Sequence, residues 1–221
     1  MGPAVVQALI FDLDGVIVDS NPVHVRAWER YLAAHGRLLP PHPETLIFGR
    51  HNDEIVRAVF GDHLDPAEVA AHGAAKEALY RKLMRPLLAG RLVPGVVEFV
   101  RRWSCLPLAL ASNAERANVE FVLEESGLRR FFRVVLDGWQ IHAPKPDPAI
   151  FLEAARLLGV PSARCVIFED SPAGVAAARA AGAQVVGLLT TYKELPGVDL
   201  AVRDFRDPEL ERWLQARTGG C

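Results

Sequence analysis

Lysine is scarce in this chain. Of its 25 basic residues only four are lysine, Lys76, Lys82, Lys145 and Lys193, and the rest are arginine. Lysine supplies a compact point charge where arginine supplies a planar fork, so a lysine here points to a place where a point charge is wanted. Net charge is also slight, at -2 over 221 residues. That leaves no strongly basic face for nucleic acid and no polybasic patch for an anionic membrane. The three cysteines, Cys105, Cys165 and Cys221, are an odd set without metal-ligand spacing. Cys105 and Cys165 lie among apolar neighbours and are expected to be small core residues, while Cys221 ends a Thr-Gly-Gly-Cys tail expected to fray. Such usage suits a reducing cytoplasm. No apolar run nears the roughly 18 residues of a membrane helix. The first apolar run has no basic region before it and meets Asp12 early, unlike a secretory signal. The expectation is a cytoplasmic protein, a monomer or weak dimer, with neither nucleic acid nor membrane as partner.

What is present is an ordinary globular balance, half apolar and about a quarter charged. A chain of this size buries roughly 70–75% of its unfolded surface and needs no staples. Short apolar runs recur at Val5–Phe11, Leu106–Ala111, Val134–Leu136, Cys165–Phe168 and Val185–Leu189. Their near-continuous apolar character predicts strands buried on both faces. Helical patterns separate them at Gly95–Trp103, Glu115–Ser126, Pro148–Leu158 and Pro172–Ala181. This alternation predicts βαβ units and a doubly wound parallel sheet, Rossmann-like in class. Residues 19–92 break the alternation. Pro22 suits a first helical turn, Trp28, Tyr31 and Leu32 recur at helical spacing, and further patterns follow near Asp53–Phe60 and Pro66–Leu83. An α/β core of residues 1–18 and 93–221 with an inserted all-helical cap of residues 19–92 is expected.

Four strand ends carry chemistry. Phe11-Asp12-Leu13-Asp14-Gly15 sets two carboxylates two residues apart, with a glycine that permits a tight turn; alone it could equally be a capped loop. Ala111-Ser112-Asn113 offers a hydroxyl before a helix, which is either a phosphate cradle or a plain N-cap. In Ala143-Pro144-Lys145-Pro146-Asp147-Pro148, alternating prolines stiffen a loop whose Lys145 is either a fixed positive charge for a phosphoryl group or a solvated lysine in a connector. Phe168-Glu169-Asp170-Ser171 ends an apolar run with two acids, a donor set suited to Mg2+ or to capping a helix. All four lie at C-terminal ends of predicted parallel strands, the edge where open α/β sheets bind ligands.

On these motifs, in this order, the chain resembles the haloacid dehalogenase-like phosphotransferases, and within them the β-phosphoglucomutase-like group with a helical cap. The resemblance implies Asp12 as nucleophile, Asp14 as general acid and base, and Ser112 and Lys145 as phosphate-binding catalytic groups. It implies Mg2+ held by Asp12, the backbone carbonyl of Asp14, and Asp170, with Glu169 assisting. Asn113, beside Ser112, joins the substrate-binding set. In the cap, His24 and Trp28 are four apart on one helix face, which alone fits a cap-core Trp28 and a satisfied surface His24 equally well; the resemblance implies that they, with Gly49 and Lys82, meet substrate. A lid hinged near Val18–Ser20 and Leu92–Gly95 is expected. The chain departs from β-phosphoglucomutase where Phe48 and Asn52 replace a Lys and an Arg, and Glu115 follows the serine motif with no nearby lysine. Arg50 could compensate. A phosphatase of small phosphorylated metabolites is therefore the first reading and a phosphohexomutase the alternative; a non-enzymatic ligand binder sits poorly with an intact motif set.

Overall fold

The computed structural model describes residues 5–48, 51–141 and 143–218. In chain order, the fully buried strand β1 (Ala8–Phe11) is followed by five helices. These are α1 (Asn21–Ala34), α2 (Glu44–Ile47), α3 (Asn52–Phe60), α4 (Pro66–Met84) and α5 (Leu88–Arg91). Alternation then begins: α6 (Val96–Arg102), β2 (Leu108–Ala111), α7 (Arg116–Glu125), β3 (Phe132–Leu136) and α8 (Ala149–Leu158). It continues with β4 (Cys165–Glu169), α9 (Pro172–Ala180), β5 (Gln184–Leu188), β6 (Leu200–Val202) and α10 (Pro208–Thr218).

The six strands form one sheet in the order β3-β2-β1-β4-β5-β6, with every neighbouring pair parallel. Alternate residues face opposite layers, as strand geometry requires. On one face Ala8, Ile10, Ala109, Ala111 and Ile167 pack on Ile150, Phe151 and Ala154 of α8 and on Ala177 and Ala178 of α9. The small alanines let these helices approach closely. The other face is aromatic. Phe11 and Phe168, register partners on β1 and β4, stack with centroids 4.6 Å apart. Phe99 of α6 meets Phe168 edge-on at 5.4 Å, and Phe205 lies 4.7 Å from Phe99. Each such ring contributes roughly 1.5–3 kcal/mol by burial. Helices on both faces make this the doubly wound architecture expected, with an inserted unit in which the described residues form helices only.

By contact clustering the chain divides into two compact units, one running to Asp19 and resuming at Arg91, the other spanning Ser20–Gly90. The core unit's chain exit and re-entry are side by side: Val18 bridges Leu92, Val93 N–H donates to Ile17 O at 3.0 Å, and Arg91 pairs with Asp19 at 2.7 Å. In the helical unit, Trp28, Leu32, Ile47, Ile55, Val56, Phe60 and Val69 form a separate core. Its longest helix, α4, starts on a capping box. Asp65 accepts from Glu68 N–H at 2.8 Å while the Glu68 carboxylate accepts from Asp65 N–H at 3.0 Å.

Two expectations need correction. Cys105 is exposed, in a short 3-10 turn after α6, because the apolar run begins only beyond it. The sheet also has a sixth strand, β6, and a closing helix, α10, that the apolar pattern did not reveal. Three residues are too few to show periodicity, and α10 buries only Leu210 and Leu214. Cys165 is buried as expected, and burial pushes its thiol up to about 12. Among the described residues no helix is long and apolar enough to cross a membrane.

Candidate active site

The sheet order places β1 at the point where successive connections diverge, with β2 on one side and β4 on the other. Asp12 continues the ladder, its N–H donating to Phe168 O at 3.0 Å. The chain then turns sharply: Ile17 N–H returns to Leu13 O at 2.8 Å, and Gly15 N–H donates to Val18 O at 2.7 Å. Gly15 adopts φ +72°, and a Cβ there would stand 1.9 Å from Asp170 Oδ2. Glycine is therefore required twice over, for the left-handed backbone and for the space the Asp170 carboxylate fills.

At the end of β4, Glu169 turns inward. Its Oε2 accepts from Asp170 N–H at 3.0 Å, Ser171 N–H at 3.2 Å and Ser171 Oγ at 3.1 Å. Ser171 also caps α9, its Oγ accepting from Gly174 N–H at 3.0 Å. A Cβ on Gly174 would fall 1.9 Å from the Glu169 carboxyl carbon, so this helix turn is cut away to seat the acid.

Lys145 Nζ joins three strand ends. It donates to Asp12 Oδ1 at 2.7 Å, Glu169 Oε1 at 2.6 Å and Ala111 O at 3.1 Å, and lies 4.6 Å from the Phe151 ring centroid. An ammonium has three donors, and these acceptors engage all of them. Burial alone would lower the Lys145 pKa, but the Asp12 and Glu169 carboxylates outweigh it and hold it above the ordinary lysine value. Glu169, though paired with Lys145, is raised, because its burial exceeds what one shared ammonium returns. Asp170 is raised well above the carboxylate range, by burial first and then by repulsion from Glu169 and Asp12. Carboxylate oxygens of Asp12, Glu169 and Asp170 lie within 4.8 Å of one another, all buried. Three acids facing one ammonium leave an excess of negative charge in a dry place, and a hard cation relieves such an excess.

Ser112 and Asn113 complete the edge. Ser112 is buried, its Oγ accepting from Ala114 N–H at 3.2 Å; Asn113 Oδ1 accepts from Lys145 N–H at 3.4 Å. Asp14 is half-buried in the turn after Asp12. The structure thus brings Asp12, Asp14, Ser112, Asn113, Lys145, Glu169 and Asp170 to one sheet edge.

The other predicted residues belong to the helical unit. His24 Nδ1 accepts from Lys76 Nζ at 3.2 Å, and its ring stacks on Tyr80 with centroids 3.8 Å apart. Lys76 pairs with Glu77, whose Oε1 also accepts from the Asn52 amide at 2.8 Å, and Lys76 Nζ stands 5.0 Å from the Trp28 ring centroid. Burial, and next the Lys76 charge, lower the His24 pKa to about 3, only partly opposed by Glu77. Lys82 is exposed on α4. Gly49 and Arg50 lie outside the described residues. Sequence reasoning passed over the buried pair Lys76–Glu77, although lysine scarcity was a signal. It also passed over Gly174, Thr190 and Thr191. Thr190 donates to Gly15 O at 2.6 Å and Thr191 donates to Asp170 Oδ2.

Known proteins are similar throughout. The family model described as haloacid dehalogenase-like hydrolase matches residues 6–182. The chain is 33% identical over 180 residues to fructose-1-phosphate phosphatase YqaB of Escherichia coli, covering 80% of this chain and 94% of that protein. It is 30% identical over 224 residues to β-phosphoglucomutase of Bacillus subtilis, covering 96% and 97%. A mutant of CbbY from Rhodobacter sphaeroides, solved in complex with xylulose-(1,5)bisphosphate, superposes with a TM-score of 0.77 at 27% identity, covering 91% and 96%.

Proposed function

The chain belongs to the haloacid dehalogenase-like hydrolase family, and from that premise we propose that it is a Mg2+-dependent phosphatase of small phosphorylated metabolites, sugar phosphates foremost, acting through an aspartyl-phosphate on Asp12. The observation that carries this reading is the buried cluster in which Lys145 links Asp12 to Glu169 while Asp170 stands within the same 4.8 Å group.

The donor set fits Mg2+. It consists of oxygens only, is buried, and carries excess negative charge. Asp12, Asp170 and the Asp14 backbone carbonyl would hold the ion, with Glu169 beside them. Bound there, the ion would neutralise phosphoryl oxygens and ease the approach of an anionic nucleophile. Asp12, one oxygen engaged by Lys145, attacks phosphorus with the other. Lys145 offsets the repulsion between that carboxylate and the phosphoryl group. Ser112 and Asn113, beside the start of α7, bind the transferring group. Asp14 protonates the leaving oxygen and then takes a proton from the attacking water, regenerating Asp12.

Sugar phosphates are favoured because the relatives above are named for a sugar-phosphate phosphatase activity and a complex with a sugar bisphosphate. Hydrolysis is favoured over isomerisation by the helical unit. A mutase needs cations for a second phosphate, whereas Phe48 and Asn52 stand where cations are expected, Asn52 is bonded to Glu77, and the buried Lys76 is ion-paired with Glu77. The β-phosphoglucomutase similarity keeps the mutase as the second reading. A panel of phosphorylated metabolites assayed with Mg2+ and with chelator tests the proposal. Phosphate release confined to the Mg2+ samples is expected. A parallel assay supplies β-glucose 1-phosphate with a trace of the 1,6-bisphosphate; rapid glucose 6-phosphate formation with negligible phosphate would establish the mutase instead.

A further inference from the structure

Thr190 and Thr191 follow β5 and stand apart from the motifs. Turn hydroxyls ordinarily bond backbone two to four residues away. These two reach elsewhere. Thr191 Oγ donates to Asp170 Oδ2, beyond the neighbouring strand β4. Thr190 Oγ donates at 2.6 Å to Gly15 O, after β1, which lies two strands from β5. Gly15 and Asp170 are closely apposed, since a Cβ on Gly15 would stand 1.9 Å from Asp170 Oδ2. One dipeptide therefore grips both sides of that contact from a third strand.

Asp170 needs such a grip. It is buried and its carboxylate faces Glu169, Asp12 and Asp14. Among the described contacts, Thr191 is the side chain that donates to it, whereas Lys145 is engaged by Asp12 and Glu169. A hydroxyl donor fixes the rotamer of the carboxylate, which a hard cation requires of a ligand.

We propose that Thr190 and Thr191 are positioning residues for the cation site. Thr191 orients the Asp170 carboxylate, and Thr190 fixes the Gly15 peptide against which Asp170 rests. The inference rests on the Mg2+ reading above. Val is nearly isosteric with Thr and removes only the hydroxyl. Mg2+ is titrated calorimetrically into metal-free full-length wild type, Thr191→Val, Thr191→Ser and Thr190→Val, and the Mg2+ dependence of turnover is followed in parallel.

Thr191→Val should weaken Mg2+ binding by about 10–100-fold, the usual penalty for removing a group that orients a metal ligand. Turnover at saturating Mg2+ should fall by a smaller factor than affinity does. Thr191→Ser, which keeps the hydroxyl, should recover most of the loss, and Thr190→Val should show a weaker version of it. A purely structural threonine would lower the melting temperature without moving Mg2+ affinity. Wild-type affinity in Thr191→Val, whatever its melting temperature, overturns the proposal. Should Thr191→Val fail to fold, Thr191→Ala carries the same test. No Mg2+ binding by wild type would instead overturn the metal reading and this inference with it.

Discussion

The molecule buries two lysines in different electrostatic situations. In the core, Lys145 meets Asp12 and Glu169, with Asp170 close by, so acids outnumber the ammonium. In the helical unit, Lys76 is ion-paired with Glu77 and donates to the neutral ring of His24. Burying a charge costs several kcal/mol unless it is compensated. An ion pair meets that cost within its own unit and can serve as structure. An acid excess cannot, and the raised pKa values of Glu169 and Asp170 record what is left over. Burial of a lysine alone therefore does not mark a reactive site; the imbalance around it does.

The largest expected effect tests what the imbalance is for. Asp12→Asn keeps size and most contacts but removes the nucleophile, so turnover should fall by on the order of 10^3-fold or more while the circular dichroism spectrum stays native. Near wild-type phosphate release from a pure, Mg2+-loaded sample would remove Asp12 from that role.

The next test separates the two lysines directly. Lys145→Ala and Glu77→Ala each strand buried charge, and each should cost about 3–5 kcal/mol in denaturant unfolding. Only the Lys145→Ala loss should be partly recovered by Mg2+, because only there do several carboxylates await a cation. Equal Mg2+ recovery in both variants would erase the distinction. Replacing the pair together, Lys76→Met with Glu77→Leu, should be close to neutral.

A pH series sharpens the helical side. His24 titrates near 3 when folded and near 6.5 when unfolded, so between those values the unfolded chain binds the extra proton. Its neutral form thus contributes stability that is full above the unfolded value and is lost as pH falls. The contribution should drop by about 2 kcal/mol between pH 7 and pH 5. Urea unfolding of wild type beside His24→Gln measures it; parallel pH slopes would contradict the assignment.

The smallest effects compare two helix caps. Asp65→Ala in the capping box of α4 and Ser171→Ala at α9 should each cost about 1 kcal/mol. Ser171 also bonds Glu169, so its loss should in addition weaken Mg2+ affinity, whereas Asp65→Ala should leave Mg2+ affinity alone.

Much of this was legible in the amino-acid order. Buried parallel strands announce themselves as apolar runs, and Asp12, Ser112 and Asp170 each follow the end of one, while Lys145 sits in the proline-rich loop before α8. The helical insertion was legible too, because helical periodicity is a local signal. Two kinds of feature were not. The strand β6 is too short, at three residues, to show a period, and Cys105 lies just before the apolar run of β2 begins. The polar partners also lay far from one another in sequence: Thr190 lies 175 residues from Gly15, Thr191 lies 21 from Asp170, and Lys76 lies 52 from His24.

The sequence by itself determined the elements, the layer class and the chemical types at the sheet edge, since periodicity, caps and motif spacing act over a few residues. Only the tertiary structure decided which of those groups share a proton or a charge. Coulomb and desolvation energies depend on distance through space and on burial, and neither is a function of distance along the chain. That is why Lys145 became part of a cation-seeking cluster in one unit while Lys76 became ion-paired with Glu77 in the other.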